Sequence, residues 1–275
     1  MVIRIAQLQL PVSPSKQKTF EQVKRAACAA AQNQIDLIAL PEMFSCPYEV
    51  SAFPQYAEEE GGPSWQLGSA LAKEYGVYVS AGSVPEIDSQ GHIYNTAYVF
   101  DRTGHCIAKH RKVHLFDIDV EGGQHFRESD ILSAGDQVTT FATEFGIFGL
   151  CICFDLRFPE LCRLMALRGA QVILVPAAFN QTTGPAHWEL TFRSQAVFNQ
   201  LYTVGTAPAL DPAASYHSWG HSLVVDPWGN VVATLDESAG VQITALDLDL
   251  VPSIRKQLPL LSHLRYDLYH TPSFD

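Results

Sequence analysis

The chain has 275 residues, 47% of them hydrophobic and 17% charged, which excludes a disordered or collagen-like polymer and allows a sizeable buried core. A formal net charge of -11 argues against broad contact with nucleic acid or an anionic membrane, because both need a cationic face. A small anionic ligand held by a few local charges is not excluded.

In chain order, residues 2–10 read as a strand. Ser13-Pro14 then offers an N-cap and a first-position proline for a helix with Phe20, Val23, Ala26, Ala27 and Ala30 at helical spacing. The apolar run 35–40 ends at Pro41-Glu42 and suits a strand buried on both faces. A helix over 64–75 and strands over 77–84, 94–100 and 106–113 follow, the last two joined as a hairpin by Asp101-Arg102-Thr103-Gly104. Residues 114–136 hold no period and read as one long loop, a length that usually signals function.

Further on, strands over 145–153, 171–178 and 201–208 alternate with helices over 159–168 and 187–200. Strands near 222–227, 231–235 and 241–248 and a helix around 252–257 complete the chain. No linker, composition shift or repeat divides it, so it reads as one α/β domain with mixed sheets inside and helices outside.

The opening residues Met1-Val2-Ile3-Arg4-Ile5 lack a basic region followed by an apolar one, and no apolar run reaches the roughly 18 to 20 residues of a membrane span. The six cysteines form no CxxC pair and sit mostly in apolar segments, as thiols in a reducing cytosol do. The expectation is a cytoplasmic protein with no membrane or nucleic-acid partner. No GxSxG or HExxH occurs, so serine-hydrolase and metalloenzyme readings lack support and no metal is expected.

Three places break the pattern of a plain core. Glu42 directly follows an apolar strand, at the carboxyl end where ligand sites of α/β sheets collect. Lys112 closes a strand immediately before the long loop. Cys153 lies where an apolar strand stops before Pro159, an elbow whose N–H groups and helix start favour thiolate. Taken singly, each also fits a plain structural role: a surface glutamate, a solvated basic edge, a buried thiol. Together they supply what nucleophilic amide hydrolysis needs: a thiolate, a carboxyl group to move protons, and a cation for the oxyanion, with the Phe154 N–H as second donor.

These segments, Leu40-Pro41-Glu42, Arg111-Lys112-Val113-His114-Leu115-Phe116 and Cys153-Phe154-Asp155-Leu156-Arg157-Phe158-Pro159-Glu160, resemble the nitrilase superfamily of carbon-nitrogen hydrolases. Ser45-Cys46-Pro47-Tyr48, the 114–119 segment and Thr182-Thr183-Gly184-Pro185-Ala186-His187-Trp188-Glu189-Leu190 look like its omega-amidase branch. The resemblance implies a four-layer αββα sandwich spanning 1–275, a homodimer with the tail from about 258 to 275 at its interface, and no metal or organic cofactor. It also implies that Glu42, Lys112 and Cys153 are catalytic, with Glu128 orienting the lysine and substrate. The expected reaction opens the terminal amide of small dicarboxylate monoamides such as 2-oxoglutaramate and succinamate through a cysteine thioester. The alternative is another amidase of the superfamily, acting on a carbamoyl amine, a deaminated peptide amide or a nitrile. Tyr48, Arg157, Thr183 and His187 are candidate contacts for a small anionic tail, Phe116 and Phe179 for an apolar wall. Phe154 stands where the family more often has tyrosine, and Phe198 where it often has an acid.

Overall fold

The computed structural model describes residues 1–121 and 125–269. Its strands, in chain order, are β1 (Val2–Gln9), β2 (Leu37–Ala39), β3 (Tyr78–Ser80), β4 (Val84–Ile87), β5 (Ile93–Phe100), β6 (Cys106–Arg111), β7 (Asp117–Asp119), β8 (His125–Arg127), β9 (Thr139–Thr143), β10 (Gly146–Leu150), β11 (Val172–Pro176), β12 (Tyr202–Thr206), β13 (Leu223–Val225), β14 (Val231–Thr234) and β15 (Gly240–Asp247). The α-helices are α1 (Lys16–Ala31), α2 (Phe53–Tyr56), α3 (Pro63–Tyr75), α4 (Pro159–Leu167), α5 (Gly184–Asn199) and α6 (Leu250–Gln257).

One sheet runs β15-β1-β2-β3-β5-β4, with β6 added on β5; the other runs β14-β13-β12-β11-β10-β9. Alternation in β1 explains the layering. Ile3 and Ile5 enter the core shared with Phe148, Leu150 and Ile173 of the second sheet, while Ala6 and Leu8 meet Val23 and Ala27 of α1 and Leu67 and Leu71 of α3. Met165 of α4 and Phe192 of α5 cover the far side of the second sheet. The result is the expected four-layer αββα sandwich. Gln7 bolts the sheets together: fully buried, it donates to Gly205 O at 2.7 Å and Leu223 O at 3.3 Å, and accepts from Gln242 at 2.8 Å.

Several boundaries differ from the expected ones for local reasons. Helix α1 is capped by Ser15, whose side chain accepts from Lys18 N–H, so Pro14 lies before the helix rather than at its first position. The expected strand over 77–84 breaks at Gly82, whose φ of +44° no strand can hold; β4 then pairs antiparallel with β5. The expected loop 114–136 contains the β7–β8 hairpin and a 3-10 turn at Glu128–Asp130, and β9 was not anticipated. The β5–β6 hairpin is as expected, with Gly104 at φ +84° in its turn. Of the C-terminal tail, residues 270–275 lie outside the described residues.

Candidate active site

Strand β2 is wholly buried, and the chain leaves it through Leu40 and Pro41 to present Glu42 at its carboxyl end. The exit is tightly built. A Cβ on Gly82 would stand 2.0 Å from Pro41 O, and Ser83 receives the Met43 N–H on its hydroxyl at 3.0 Å. Glu42 itself is fully buried among donors. Its Oε1 accepts from Asn95 Nδ2 at 2.8 Å and Lys112 Nζ at 2.9 Å and lies 3.2 Å from the Tyr48 oxygen, and its Oε2 accepts from Ala178 N–H at 2.9 Å. Burial, helped by the neighbouring Glu128 charge, outweighs Lys112 and raises the Glu42 pKa above the ordinary glutamate range.

Lys112 follows β6. Its backbone N–H donates to Asn95 O and its carbonyl receives Gly135 N–H, both at 2.8 Å, which fixes the residue from two sides. Its ammonium lies 2.9 Å from both Glu42 and Glu128 and 3.5 Å from the Tyr48 hydroxyl. Burial alone would discharge it, but the Glu128 and Glu42 charges prevail and hold Lys112 above the usual lysine value. Glu128 is pinned by Phe116 N–H at 2.7 Å and Tyr48 OH at 2.8 Å.

Strand β10 stops at Leu150, three residues short of the expected end, and Cys153 opens a 3-10 turn over Cys153–Arg157 with φ +48°. A non-glycine residue held there is strained, a state that surrounding structure must enforce. The enforcing group is Asp155. It is fully buried; Oδ2 accepts from Ile152 N–H and faces His110 Nε2, both at 3.0 Å, while Oδ1 accepts from Val113 N–H at 3.2 Å and His114 N–H at 2.8 Å. Despite burial, the His110 and His114 hydrogen bonds keep Asp155 well below the ordinary aspartate value.

The Cys153 thiol is buried beside the Glu42 carboxyl group and the Ala178 N–H. Burial and then the Glu42 charge push its pKa well above the ordinary thiol value, against the smaller pull of Lys112. This direction favours a neutral Cys153 thiol, against the expectation of a thiolate from the elbow alone, because desolvation exceeds the backbone contribution. Cys151, two residues back, instead packs with Cys162 inside the core.

The remaining candidates surround this group. Tyr48 bridges Glu42 and Glu128; Phe116 packs edge-on against Phe154 at 5.3 Å. Arg157 lies 4.5 Å over the Phe179 ring, with Nη1 3.0 Å from His187 Nδ1. Among the described residues no carboxylate forms an ion pair with it, and Asp155 is committed elsewhere. Thr183 gives its hydroxyl proton to Asn180 Oδ1 at 3.0 Å. Four participants escape sequence reasoning: Asn95, Asp155, the Ala178 N–H and Tyr216, which hydrogen-bonds Ala178 O and packs at a tilt against Tyr48, ring centres 4.6 Å apart. A cavity of about 430 Å³ reaches Glu42, Tyr48, Ala178 and Tyr216. Among the described residues no three His, Cys, Asp or Glu side chains are grouped to hold a metal ion, and no helix is long and apolar enough to cross a membrane.

The family described as carbon-nitrogen hydrolase matches residues 3–256. Hydrolase C26A3.11 of Schizosaccharomyces pombe is 47% identical over 268 residues, covering 97% of this chain and 83% of that one. Omega-amidase NIT2 of Homo sapiens is 46% identical over 266 residues, covering 97% and 96%. The crystal structure of Saccharomyces cerevisiae Nit3, a member of branch 10 of the nitrilase superfamily, superposes with a TM-score of 0.89 at 38% identity over 96% of this chain and 97% of that one.

Proposed function

Because the chain belongs to the carbon-nitrogen hydrolase family and is an amidohydrolase, we propose that it is an omega-amidase, hydrolysing the terminal amide of small dicarboxylate monoamides such as 2-oxoglutaramate and succinamate. The observation that carries this reading is the buried constellation in which Cys153 lies beside Glu42 and Lys112, with Arg157 on the same elbow left without a carboxylate ion pair among the described residues. The first part supplies chemistry and the second supplies a counter-charge for the substrate's free carboxylate.

The sequence of steps follows from the protonation states. Glu42 takes the Cys153 proton as sulfur bonds to the amide carbon, and Lys112 with the Phe154 N–H stabilises the oxyanion. Glu42 then hands that proton to nitrogen, the C–N bond breaks, and ammonia leaves a thioester on Cys153. A water molecule, deprotonated by Glu42, attacks the thioester carbon; the C–S bond breaks and the proton returns to sulfur. Glu128 holds Lys112 in place, and Tyr48 spans both carboxylates. Phe116, Phe154 and Phe179 form the apolar wall, with His187 steadying Arg157 and Thr183 shaping the turn beside it.

Within this reading the chain is one domain over 1–275 acting in the cytoplasm as a homodimer. The apolar side chains exposed on α4 and α5, among them Leu164, Leu167, Leu190 and Phe198, support pairing through the outer helices. The test is ammonia release from a panel: succinamate, 2-oxoglutaramate, a neutral amide, a carbamoyl amine, a deaminated peptide amide and a nitrile. The two dicarboxylate monoamides should be turned over fastest. Faster turnover of any of the others would replace this reading with a different amidase of the same family.

A further inference from the structure

The two oxygens of Glu42 stand in unlike surroundings, and one buried neutral residue contributes to the difference. Asn95 lies in β5 on the face whose next members, Ala97 and Val99, enter the core between the sheets. An apolar side chain would satisfy packing there. Instead Asn95 is fully buried, its Nδ2 donates to Glu42 Oε1 at 2.8 Å, and its Oδ1 finds no hydrogen-bond partner. A buried acceptor without a partner costs stability, which the Nδ2 bond to the Glu42 carboxylate offsets. The opposite amide orientation would aim Oδ1 at a carboxylate, so the orientation is set by Glu42. The same residue's carbonyl receives the Lys112 N–H at 2.8 Å, so Asn95 touches both the proton shuttle and the cation.

Oε1 therefore accepts from Asn95 and Lys112 and lies 3.2 Å from the Tyr48 hydroxyl, whose proton goes to Glu128 at 2.8 Å, whereas Oε2 accepts the Ala178 N–H at 2.9 Å, a group that also lies beside the Cys153 thiol. A proton placed on Oε1 would point into N–H groups already directed there. We propose that Asn95 is a positioning residue that holds Glu42 in one orientation and reserves Oε2 as the oxygen that exchanges the proton with the Cys153 sulfur and the departing nitrogen. In this step the S–H bond breaks and an Oε2–H bond forms, and that proton later passes to nitrogen as the C–N bond breaks. This rests on the proposed roles of Glu42 and Cys153, but not on which amide is the substrate.

The titratable groups facing Glu42 are Lys112 at the end of β6, Glu128 in the 3-10 turn, Tyr48 after β2, Cys153 at the elbow and Tyr216 before β13. None of them is altered when Asn95 is replaced. Asn95→Leu removes a donor from the Glu42 anion, so the acidic limb of the pH profile should move up by about one unit, the usual worth of a hydrogen bond to a charged group. kcat should fall about tenfold or more, with KM within about twofold. Asn95→Asp is the sharper probe. Ionised, it sets a carboxylate against Oε1 and should depress turnover strongly; protonated, its hydroxyl can donate to Oε1, so activity should recover as pH falls, opposite to the parent enzyme.

The experiment measures ammonia release against pH for these variants, alongside alkylation of Cys153 by iodoacetamide, followed by mass spectrometry. Alkylation needs no amide substrate, so it separates failure of this inference from failure of the substrate assignment. Both acidic limbs shifting upward in Asn95→Leu, with recovery of Asn95→Asp at low pH, supports the assignment. Should Asn95→Leu not fold, the Asn95→Asp profile alone decides. Parental pH profiles in the folded variants, or an Asn95→Asp profile parallel to that of the parent, overturn it.

Discussion

Asp155 Oδ1 accepts the backbone N–H of His114 at 2.8 Å and lies 2.9 Å from the same residue's Nδ1. That contact joins the segment carrying Lys112 to the turn carrying Cys153, across two different sheets. Asp155→Ala would strand the N–H groups of Ile152, Val113 and His114 in a buried site and should destabilise the protein by about 3 kcal/mol or more. Denaturant melts check this. Because Asp155 is held below its ordinary value of 3.8, its contribution is full above that value and is lost as pH falls toward the lower native one. The loss of stability below about pH 4 should therefore be shallower in Asp155→Asn than in the parent.

Glu42 has the opposite sign. Its pKa is raised, so ionising it in the folded state costs stability progressively as pH rises from the ordinary value of 4.5 through the native one. Glu42→Gln should lose about 100-fold to 10,000-fold in kcat, as expected for removing a general acid and base. It should also melt at a higher temperature near neutral pH, the gain vanishing as pH approaches 4.5. Thermal melts across pH read this directly.

Lys112 is the counterpart. Lys112→Met leaves Glu42 and Glu128 buried without their shared cation, and should cost about 3 to 5 kcal/mol at neutral pH. The penalty should shrink in mild acid, where Glu42, whose pKa is already raised, gains a proton. Unfolding midpoints at two pH values suffice.

How much of this was legible beforehand depends on how local each signal is. Glu42 and Cys153 sit at the ends of apolar runs and Lys112 closes a strand before a long loop, marks that are weak singly and that the three motifs bind into one site. Asn95 left a fainter mark: a polar residue in register with Ala97 and Val99 on a core-facing side of β5. Asp155 and the Ala178 N–H carry no such mark, because their partners lie tens of residues away in the chain and only the packing of two sheets brings them together. The three-residue strands β7 and β8 are too short to show a period, and Gly82 broke a strand for a steric reason visible only in Pro41.

Gly82 makes a separate test of that exit. With φ at +44° and Pro41 O where its Cβ would stand, Gly82→Ala must displace the segment that presents Glu42. A stability loss of about 3 kcal/mol and a fall in kcat are expected together, by melts and ammonia release.

Arg157→Ala should raise KM for succinamate about tenfold or more, the worth of one charge-assisted hydrogen bond, while a neutral amide of similar length is unaffected. Arg157→Lys should not restore it, since an ammonium cannot reproduce the flat guanidinium seated 4.5 Å over Phe179.

The most direct test of the whole account is intact-mass spectrometry of enzyme mixed with succinamate and quenched in acid during turnover. The account expects a succinyl group on Cys153, absent from Cys153→Ala, which should also release no ammonia above background. Ammonia released at the parental rate by Cys153→Ala, or turnover with no acyl group ever found on Cys153, would contradict it.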